Sequence, residues 1–174
     1  EADRLNNLMN KLLSFSQIEN KTIKLNKEEV DLEEFTENLV ASSRIKYADF
    51  KISTKIDVRT SMLADPVLLS SVFQNMIDNA YKYSKTGHKI LDIAIQQNKK
   101  NFVITFKDEG IGIEKAEFNN IFKKFYRIKS QYNQQGSIGL GLAFCKEITE
   151  FIGGEITVKS QLGQGTTFTL VFPV

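Results

Sequence analysis

The chain has 174 residues, of which 41% are hydrophobic and 25% charged, an ordinary composition for a soluble globular domain. Its 23 basic and 21 acidic residues nearly cancel, so composition gives no electrostatic case for nucleic acid or for direct contact with an anionic membrane. One cysteine, Cys145, excludes an internal disulfide, and one histidine, His88, leaves too few ligands for a structural zinc site.

The N-terminal segment has helical spacing. Leu5, Leu8, Leu12 and Phe15 recur at intervals of three and four, which predicts a helix that packs on another helix. Two interpretations stay open: a helix lying on its own domain, or the tail of a dimerisation helix. Because the chain opens with Glu1 inside this pattern, we expect it to be a fragment of a longer protein.

The next segment predicts a short strand, a helix and a second strand. Residues 22–25 have the composition of a short strand. Asp31 followed by Glu34 resembles a capping box and predicts a helix to about Ala48. Alternating apolar residues over 51–58 predict the second strand.

The centre of the chain begins with the pair Asp65-Pro66, an N-cap carboxylate with proline at the first helical position. It predicts a helix to about Tyr83. Two strands follow, over 89–97 and 101–108, joined by a polar hairpin.

The last third predicts a glycine-bearing loop (109–113), a short helix (115–124), a mobile polar loop (129–137), a helix (140–152) and two strands (154–160 and 166–172). This order predicts an α+β fold, with a mostly antiparallel mixed sheet covered on one face by three helices, plus an N-terminal helical segment.

One face of the predicted helix after Asp65 carries a polar cluster. Asn75, Asp78, Asn79 and Lys82 recur at i, i+3, i+4 and i+7 and therefore share a face. Amide and carboxylate oxygens suit a hard cation, and the ammonium suits a phosphate. A solvated polar face is the alternative interpretation.

Two glycine-bearing segments point to a nucleotide. Asp108 ends a predicted strand and precedes Gly110 and Gly112, a pattern that allows a flat ligand to approach the backbone. Its carboxylate would accept from the adenine amine, although Asp-x-Gly also marks plain turns. Residues 136–142 place glycines at a helix N-terminus, where unpaired N–H groups favour an anion.

These segments, in this order, resemble the motifs of sensor histidine kinases. Residues 75–84 resemble the N box, 108–113 the first glycine box, 122–127 the F box, 136–142 the second glycine box and 163–168 the third. Each motif is moderately specific, and the ordered set of five is a strong match. Residues 4–32 are similar to the end of the second dimerisation helix and its linker.

The resemblance implies the Bergerat two-layer α/β sandwich, shared with DNA gyrase, mismatch-repair ATPases and a heat-shock chaperone. It implies three segments: the C-terminal part of the dimerisation helix (1–20), a linker strand (21–32) and the ATP-binding catalytic domain (33–174). The implied cofactors are ATP and Mg²⁺.

The resemblance also implies the residues of the site. Asn79 would ligate Mg²⁺, Asp108 would bind the adenine amine, Thr166 would help at the same edge, and Tyr83 would flank the adenine slot. Residues from Arg127 to about 137 would form a lid. The full set implied to contact ATP is Asn75, Asn79, Lys82, Tyr83, Asp108, Gly110, Gly112, Ile113, Phe125, Arg127, Ser137, Gly139, Leu140, Gly141, Leu142 and Thr166.

Catalytic roles would belong to Asn75, Lys82 and Arg127. In relatives that hydrolyse ATP, a glutamate stands four residues before the metal-binding asparagine, where this sequence has Asn75. An amide does not accept a proton at neutral pH, so the pattern favours phosphoryl transfer to an imidazole over hydrolysis. Asp78, the next acidic residue, lies one position away from the matching place.

The implied function is that of the ATP donor domain of a two-component kinase. The acceptor would be a histidine on an upstream dimerisation domain. The one histidine of this sequence, His88, is interpreted as an ordinary surface-loop residue. The implied partners are that domain, a response regulator receiver domain and a second copy in the full-length homodimer. The expected location is the cytoplasmic part of a membrane-bound sensor. A serine kinase of the anti-sigma-factor type and a degenerate nucleotide-binding module remain the alternatives.

Three further residues carry weaker expectations. Cys145 lies in an apolar helical stretch and is expected in the core. Phe122 and Phe125 are equally consistent with packing under the lid and with a docking surface for the dimerisation helices.

Overall fold

A computed structural model describes residues 9, 13, 16–18, 20, 22–58, 61–128 and 139–174. Met9, Leu13 and residues 16–18 are helical, as the N-terminal pattern predicts, and Ile18 is buried in the core. The described elements are the helices α1 (Leu32–Lys46), α2 (Pro66–Lys82) and α3 (Gly141–Phe151), a short 3-10 helix (Lys115–Glu117), and the strands β1 (Glu28–Val30), β2 (Lys51–Asp57), β3 (Met62–Ala64), β4 (Ile90–Gln97), β5 (Asn101–Asp108), β6 (Glu155–Gln161) and β7 (Gly165–Pro173).

The main sheet has five strands in the order β2-β4-β5-β7-β6. Strands β2 and β4 pair in parallel, and the other three pairs are antiparallel. Alternate residues of β4 and β5 are buried, among them Leu91, Ile93 and Ile104, because one face of the sheet packs against helices. The predicted α+β class, with a mostly antiparallel mixed sheet, is confirmed.

The first two helices begin where the sequence predicts, because an aspartate caps each of them. Asp31 Oδ1 accepts from the N–H groups of Glu33 and Glu34, and α1 follows. Asp65 Oδ1 caps α2 in the same way, with proline in its first turn.

The core forms around the apolar face of α2. Phe73 meets Phe35 of α1 and Phe106 of β5 edge-on, with ring centroids 5.3 and 5.0 Å apart. Cys145 of α3 is fully buried nearby, with its thiol 3.8 Å from the carbonyl oxygen of Val72. Its expected place in the core is confirmed. Within the described part of the chain, no helix is long and apolar enough to cross a membrane.

Two predicted elements differ from the structure. Residues 22–25 form no strand; β1 lies a few residues later and pairs antiparallel with β3, so that Glu29 opposes Leu63. Both strands have three residues, too few to show a period of two. The helix predicted over 115–124 is one 3-10 turn followed by non-helical turns.

Candidate functional site

The N-box face of α2 meets the beginning of α3. A Cβ atom added at Gly141, the first residue of α3, would lie 3.4 Å from Asn75 Oδ1 and 3.9 Å from both amide atoms of Asn79. The Asn79 Nδ2 atom is buried and, among the described residues, has no hydrogen-bond partner. A buried polar group without a partner is costly, and a ligand would satisfy it.

Asp78 does not join this cluster. Its Oδ1 accepts from Tyr47 Oη at 2.8 Å, from Gln74 Nε2 at 2.9 Å and from Lys46 Nζ at 3.1 Å. These contacts direct the carboxylate at the end of α1, so the expectation that Asp78 converges with the N-box amides is wrong. The carboxylate of Asp78 is therefore directed at α1 and not at the start of α3.

The N-terminus of α3 has no side-chain cap, in contrast to the aspartate caps of α1 and α2. The first N–H groups of a helix lack intrahelical acceptors, so this end can donate to an anion. The side chain of Leu140 is buried in the core and that of Leu142 packs, partly buried, against it. Both side chains are apolar, so the polar groups that these residues offer a ligand are those of the backbone. Gly139 precedes them with a positive φ of 77°.

Asp108 marks the opposite end of the candidate site, at the end of β5. It is 8% exposed, and its Oδ1 accepts from the N–H groups of Gly110 at 2.8 Å and Thr166 at 3.2 Å. Within the described part of the chain, Oδ2 accepts no hydrogen bond. Burial raises the pKa of the Asp108 carboxyl above its usual range, and the two backbone hydrogen bonds oppose that rise.

Close backbone contacts set the walls of this end. A Cβ at Gly110 would lie 2.4 Å from the carbonyl oxygen of Tyr83, and one at Gly112 would lie 2.1 Å from that of Gln161. A Cβ at Gly165, the first residue of β7, would lie 2.1 Å from the carbonyl oxygen of Asp108. Only glycine fits at such approaches, so packing against the protein's own backbone requires glycine at these positions. The predicted role of Gly110 and Gly112 in admitting a flat ligand stays a prediction.

Ser160, which the sequence did not single out, joins three segments at this end. Its hydroxyl accepts from the Ile113 N–H at 2.8 Å and donates to the Gly165 carbonyl at 2.7 Å. It also lies 2.9 Å from the Thr166 hydroxyl. Ser160 opposes Thr166 in the register of β6 and β7, a relationship that no local pattern reveals.

Tyr83 lies between the two ends of the site. Its N–H donates to the Asn79 carbonyl at the end of α2, and its own carbonyl accepts from the Ile111 N–H at 3.0 Å. The Lys82 ammonium donates to the Tyr83 hydroxyl at 3.2 Å and lies 4.7 Å from the centre of the ring. Asn79, Lys82 and Tyr83 thus connect the α3 terminus to the Asp108 loop.

The turn after α2 makes two contacts with distant segments that the sequence analysis did not predict. His88 Nε2 lies against a carboxylate oxygen of Glu109 in the Asp108 loop. Lys85 Nζ donates to the Gly163 carbonyl at 2.6 Å, in the turn between β6 and β7. His88 is half-exposed in this turn.

The two F-box phenylalanines have different surroundings. Phe122 packs partly buried against Phe168, with ring centroids 6.3 Å apart, whereas Phe125 is 62% exposed. Phe125 also has a positive φ of 62° and donates its N–H to the Gly139 carbonyl. Arg127 is exposed two residues later. Ser137 and most of the predicted lid lie outside the described residues.

Comparison with known proteins identifies the family. Residues 64–174 match the family described as histidine kinase-, DNA gyrase B-, and HSP90-like ATPase. The sensor protein kinase WalK of Staphylococcus aureus is 35% identical over 99% of this chain, which corresponds to 42% of that relative. Another WalK sequence from the same species matches at 35% identity over 29% of its length. The chain thus spans less than half the length of these curated relatives.

Solved structures agree with this relationship. The histidine kinase AdeS of Acinetobacter baumannii is 26% identical, with a TM-score of 0.81 over 99% of this chain and 79% of AdeS. Full-length ShkA in complex with AMPPNP has a similar fold, with a TM-score of 0.83 over 98% of this chain and 36% of ShkA, at 24% identity.

The uncapped start of α3, the N-box amides and the buried carboxylate of Asp108 occur together in a chain whose sequence matches this family over most of its length. The chain belongs to the histidine kinase-, DNA gyrase B-, and HSP90-like ATPase family and is an ATP-binding catalytic domain of the sensor histidine kinase type.

Proposed function

We propose that this chain is the ATP donor domain of a two-component kinase and transfers the γ-phosphoryl group of Mg-ATP to a histidine of an upstream dimerisation domain. Residues 1–20 would be the end of that domain, 21–32 the linker and 33–174 the catalytic domain. The observation that carries the proposal is that the uncapped start of α3 faces both N-box amides, so that a Cβ added at Gly141 would lie within 4 Å of each.

Adenine would bind at Asp108. The free oxygen of this carboxylate suits the exocyclic amine of adenine and repels the carbonyl that guanine presents at that edge. The glycine contacts at Gly110 and Gly165 keep side chains out of this end. Thr166, beside Asp108, and Ile113 would complete the slot.

The triphosphate would extend from there toward α3. Backbone N–H groups of residues 139–142 and the Lys82 ammonium would donate to its oxygens. Arg127 would contact the terminal phosphate, and Phe125 would lie at the base of the lid. Ser137, outside the described residues, is proposed only as a further contact of ATP. This arrangement orients the γ-phosphoryl group and neutralises its charge, which is most of what phosphoryl transfer needs from a protein.

The residues present could hold one magnesium ion, but only if the nucleotide supplies further ligands. Among the described residues, no group of three or more histidine, cysteine or acidic side chains is placed to hold a metal. The Asn79 side chain carries one amide oxygen that could ligate the ion, and its buried Nδ2, unpartnered within the described part of the chain, could donate to a phosphate oxygen. Mg²⁺ commonly takes its remaining ligands from phosphates and water. When bound, the ion would supply positive charge that neutralises the phosphates.

The N box supports transfer over hydrolysis. The Asn75 amide donates to the Ser71 carbonyl at 2.7 Å, and an amide is no base for water. The carboxylate of Asp78 is directed at α1. A histidine imidazole needs no deprotonation by the enzyme to attack, so an upstream histidine is the acceptor that this site suits. A response regulator would then take the phosphoryl group, and the intact protein would act as a homodimer.

The test combines binding with transfer. Titration calorimetry should show Mg-ATP binding, no GTP binding, and weaker ATP binding after Asp108→Asn or Asn79→Ala. Mixing the chain with its upstream histidine-bearing domain and γ-labelled ATP should give an acid-labile, base-stable phosphohistidine. A phosphoserine product would indicate a serine kinase, and no binding at millimolar ATP would contradict the proposal.

A further inference from the structure

Lys82 has a neutral partner. Its ammonium donates to the Tyr83 hydroxyl at 3.2 Å and lies 4.7 Å from the centre of the same ring. Across the described residues, no carboxylate forms an ion pair with Lys82. By contrast, Lys46 is paired with Asp78 and Lys89 with Asp49.

A neutral partner has a chemical consequence. A carboxylate would hold the ammonium as well, but a phosphate would then have to displace it. The face of an aromatic ring and a phenolic oxygen attract the cation without cancelling its charge. The ammonium has three N–H donors, so at least one remains for a phosphate oxygen while another contacts Tyr83.

The Tyr83 ring rests on a backbone that is fixed on both sides. The Tyr83 N–H donates to the Asn79 carbonyl, and the Tyr83 carbonyl accepts from the Ile111 N–H. Gly110 lies against that same carbonyl, so closely that no side chain fits between them. The backbone that carries the ring is therefore held by contacts within the protein itself.

We propose that Tyr83 is a positioning residue for Lys82: it holds the ammonium, without a carboxylate partner among the described residues, beside the path of the phosphates, in addition to any contact of its own with adenine. This inference rests on the proposed function, because it assumes that Lys82 contacts the nucleotide phosphates. It assigns to Tyr83 an effect that depends on the phosphates of the ligand and on the presence of Lys82.

The experiment is a double-mutant cycle in which the affinities for two ligands are compared. Titration calorimetry measures Mg-ATP and adenosine binding to the wild type, Tyr83→Leu, Tyr83→Phe, Lys82→Ala and the double variant Lys82→Ala/Tyr83→Leu. Tyr81→Phe is the matched control, since it removes a phenol that bonds Asp49 and Lys89 and does not touch Lys82. Thermal unfolding of every variant verifies folding, and Tyr83 is 38% exposed, so its loss should be tolerated.

We expect Tyr83→Leu to weaken Mg-ATP binding about threefold through loss of the cation–π contact, with a smaller effect on adenosine. Tyr83→Phe, which keeps the ring, should retain more of the affinity. In the Lys82→Ala background, Tyr83→Leu should no longer change the ratio of ATP to adenosine affinity.

Two results would overturn the inference while leaving the proposed function intact. One is a loss of affinity after Tyr83→Leu that is equal for ATP and adenosine, or equal with and without Lys82. In that case Tyr83 would contact only the adenine and would not position Lys82. The other is an unchanged ATP affinity after Lys82→Ala. Absence of Mg-ATP binding by the wild-type chain would instead overturn both proposals.

Discussion

The backbone N–H of Asn26 lies 3.0 Å from Asp65 Oδ2 and donates a hydrogen bond to it. The other oxygen of this buried carboxylate, Oδ1, accepts from the N–H groups of Val67 and Leu68 at 3.1 Å each. One side chain thus joins the segment before β1 to the first turn of the helix that carries the N box.

The substitution Asp65→Asn should break only the bond to Asn26. The asparagine oxygen can still cap α2, but its NH₂ group then faces the Asn26 N–H, donor against donor. We expect faster hydrogen exchange at the Asn26 amide and unchanged exchange in α2. Asp65→Ala, which removes the cap as well, should lower the free energy of unfolding by about 1 kcal/mol or more. Unchanged exchange at Asn26 in Asp65→Asn would contradict this role.

The substitution Asp108→Asn should separate stability from binding. Asparagine keeps an oxygen for the Gly110 and Thr166 N–H groups and removes a buried charge. Burial raises the pKa of Asp108 in the folded state, so the folded protein holds this proton more tightly than the unfolded chain does. The stabilisation that results is complete below the unfolded pKa and is lost as pH rises through the folded pKa. The wild type should therefore lose stability relative to the variant as pH rises from below about 4.

The measurement is the free energy of urea unfolding of both proteins across this pH range, with ATP binding measured in parallel at neutral pH. The expected pattern is equal or higher stability of the variant at neutral pH together with weaker ATP binding. A variant that is less stable than the wild type at every pH would mean that Oδ2 has a structural partner.

The substitution Gly141→Ala should weaken ATP binding without unfolding the domain. The added methyl group would lie at an ordinary contact distance of 3.4 Å from Asn75 Oδ1, inside the space between α3 and the N-box amides. We expect about tenfold weaker Mg-ATP binding, equivalent to about 1.4 kcal/mol, and a free energy of unfolding equal to or above that of the wild type.

The contrasting variant is Gly112→Ala. Here the methyl group would lie 2.1 Å from the Gln161 carbonyl oxygen, at a positive φ of 72°, so the domain itself should lose stability by at least about 1–2 kcal/mol. Thermal unfolding distinguishes the two classes of glycine. If Gly141→Ala leaves ATP affinity unchanged, the phosphates do not pass between α3 and the N box.

The F-box phenylalanines should differ in their contribution to stability. A left-handed backbone costs a non-glycine residue about 1–2 kcal/mol, so Phe125→Gly, at an exposed position, should not reduce the free energy of unfolding. Phe122→Ala should reduce it by about 2 kcal/mol, since the ring is partly buried and a fully buried one is worth about 3–5 kcal/mol. Denaturant unfolding of both variants is the measurement, and equal losses would contradict the distinction.

The sequence predicts the long elements well because their signals are local. Helix α2 has an aspartate cap, a proline in its first turn and an apolar face repeated over 17 residues. The antiparallel strands β4 and β5 alternate over eight residues each. Strands β1 and β3 have no such signal, because three residues form a strand only through pairing with a distant segment.

In the candidate site, too, local patterns were predictable and contacts between distant segments were not. Asp108 and the glycines beside it form a local pattern, and the structure brings them to the place that the pattern indicates. The direction of Asp78 was not predictable from spacing, since helical periodicity gives a side chain an approximate face but not the neighbour that it reaches. Tyr47, which binds Asp78, and Ser160, which binds Thr166, are opposite their partners only in three dimensions.

The position of β7 also constrains the order in which the domain assembles during synthesis. Strands β4 and β5 follow each other along the chain and can pair as soon as both leave the ribosome, because a hairpin needs no later residue. Strand β6 has one neighbour in the sheet, β7, which is made after it and inserts between β5 and β6. Until β7 emerges, an edge of β5 stays open, and Asp108 lacks the Thr166 backbone that it binds in the folded domain.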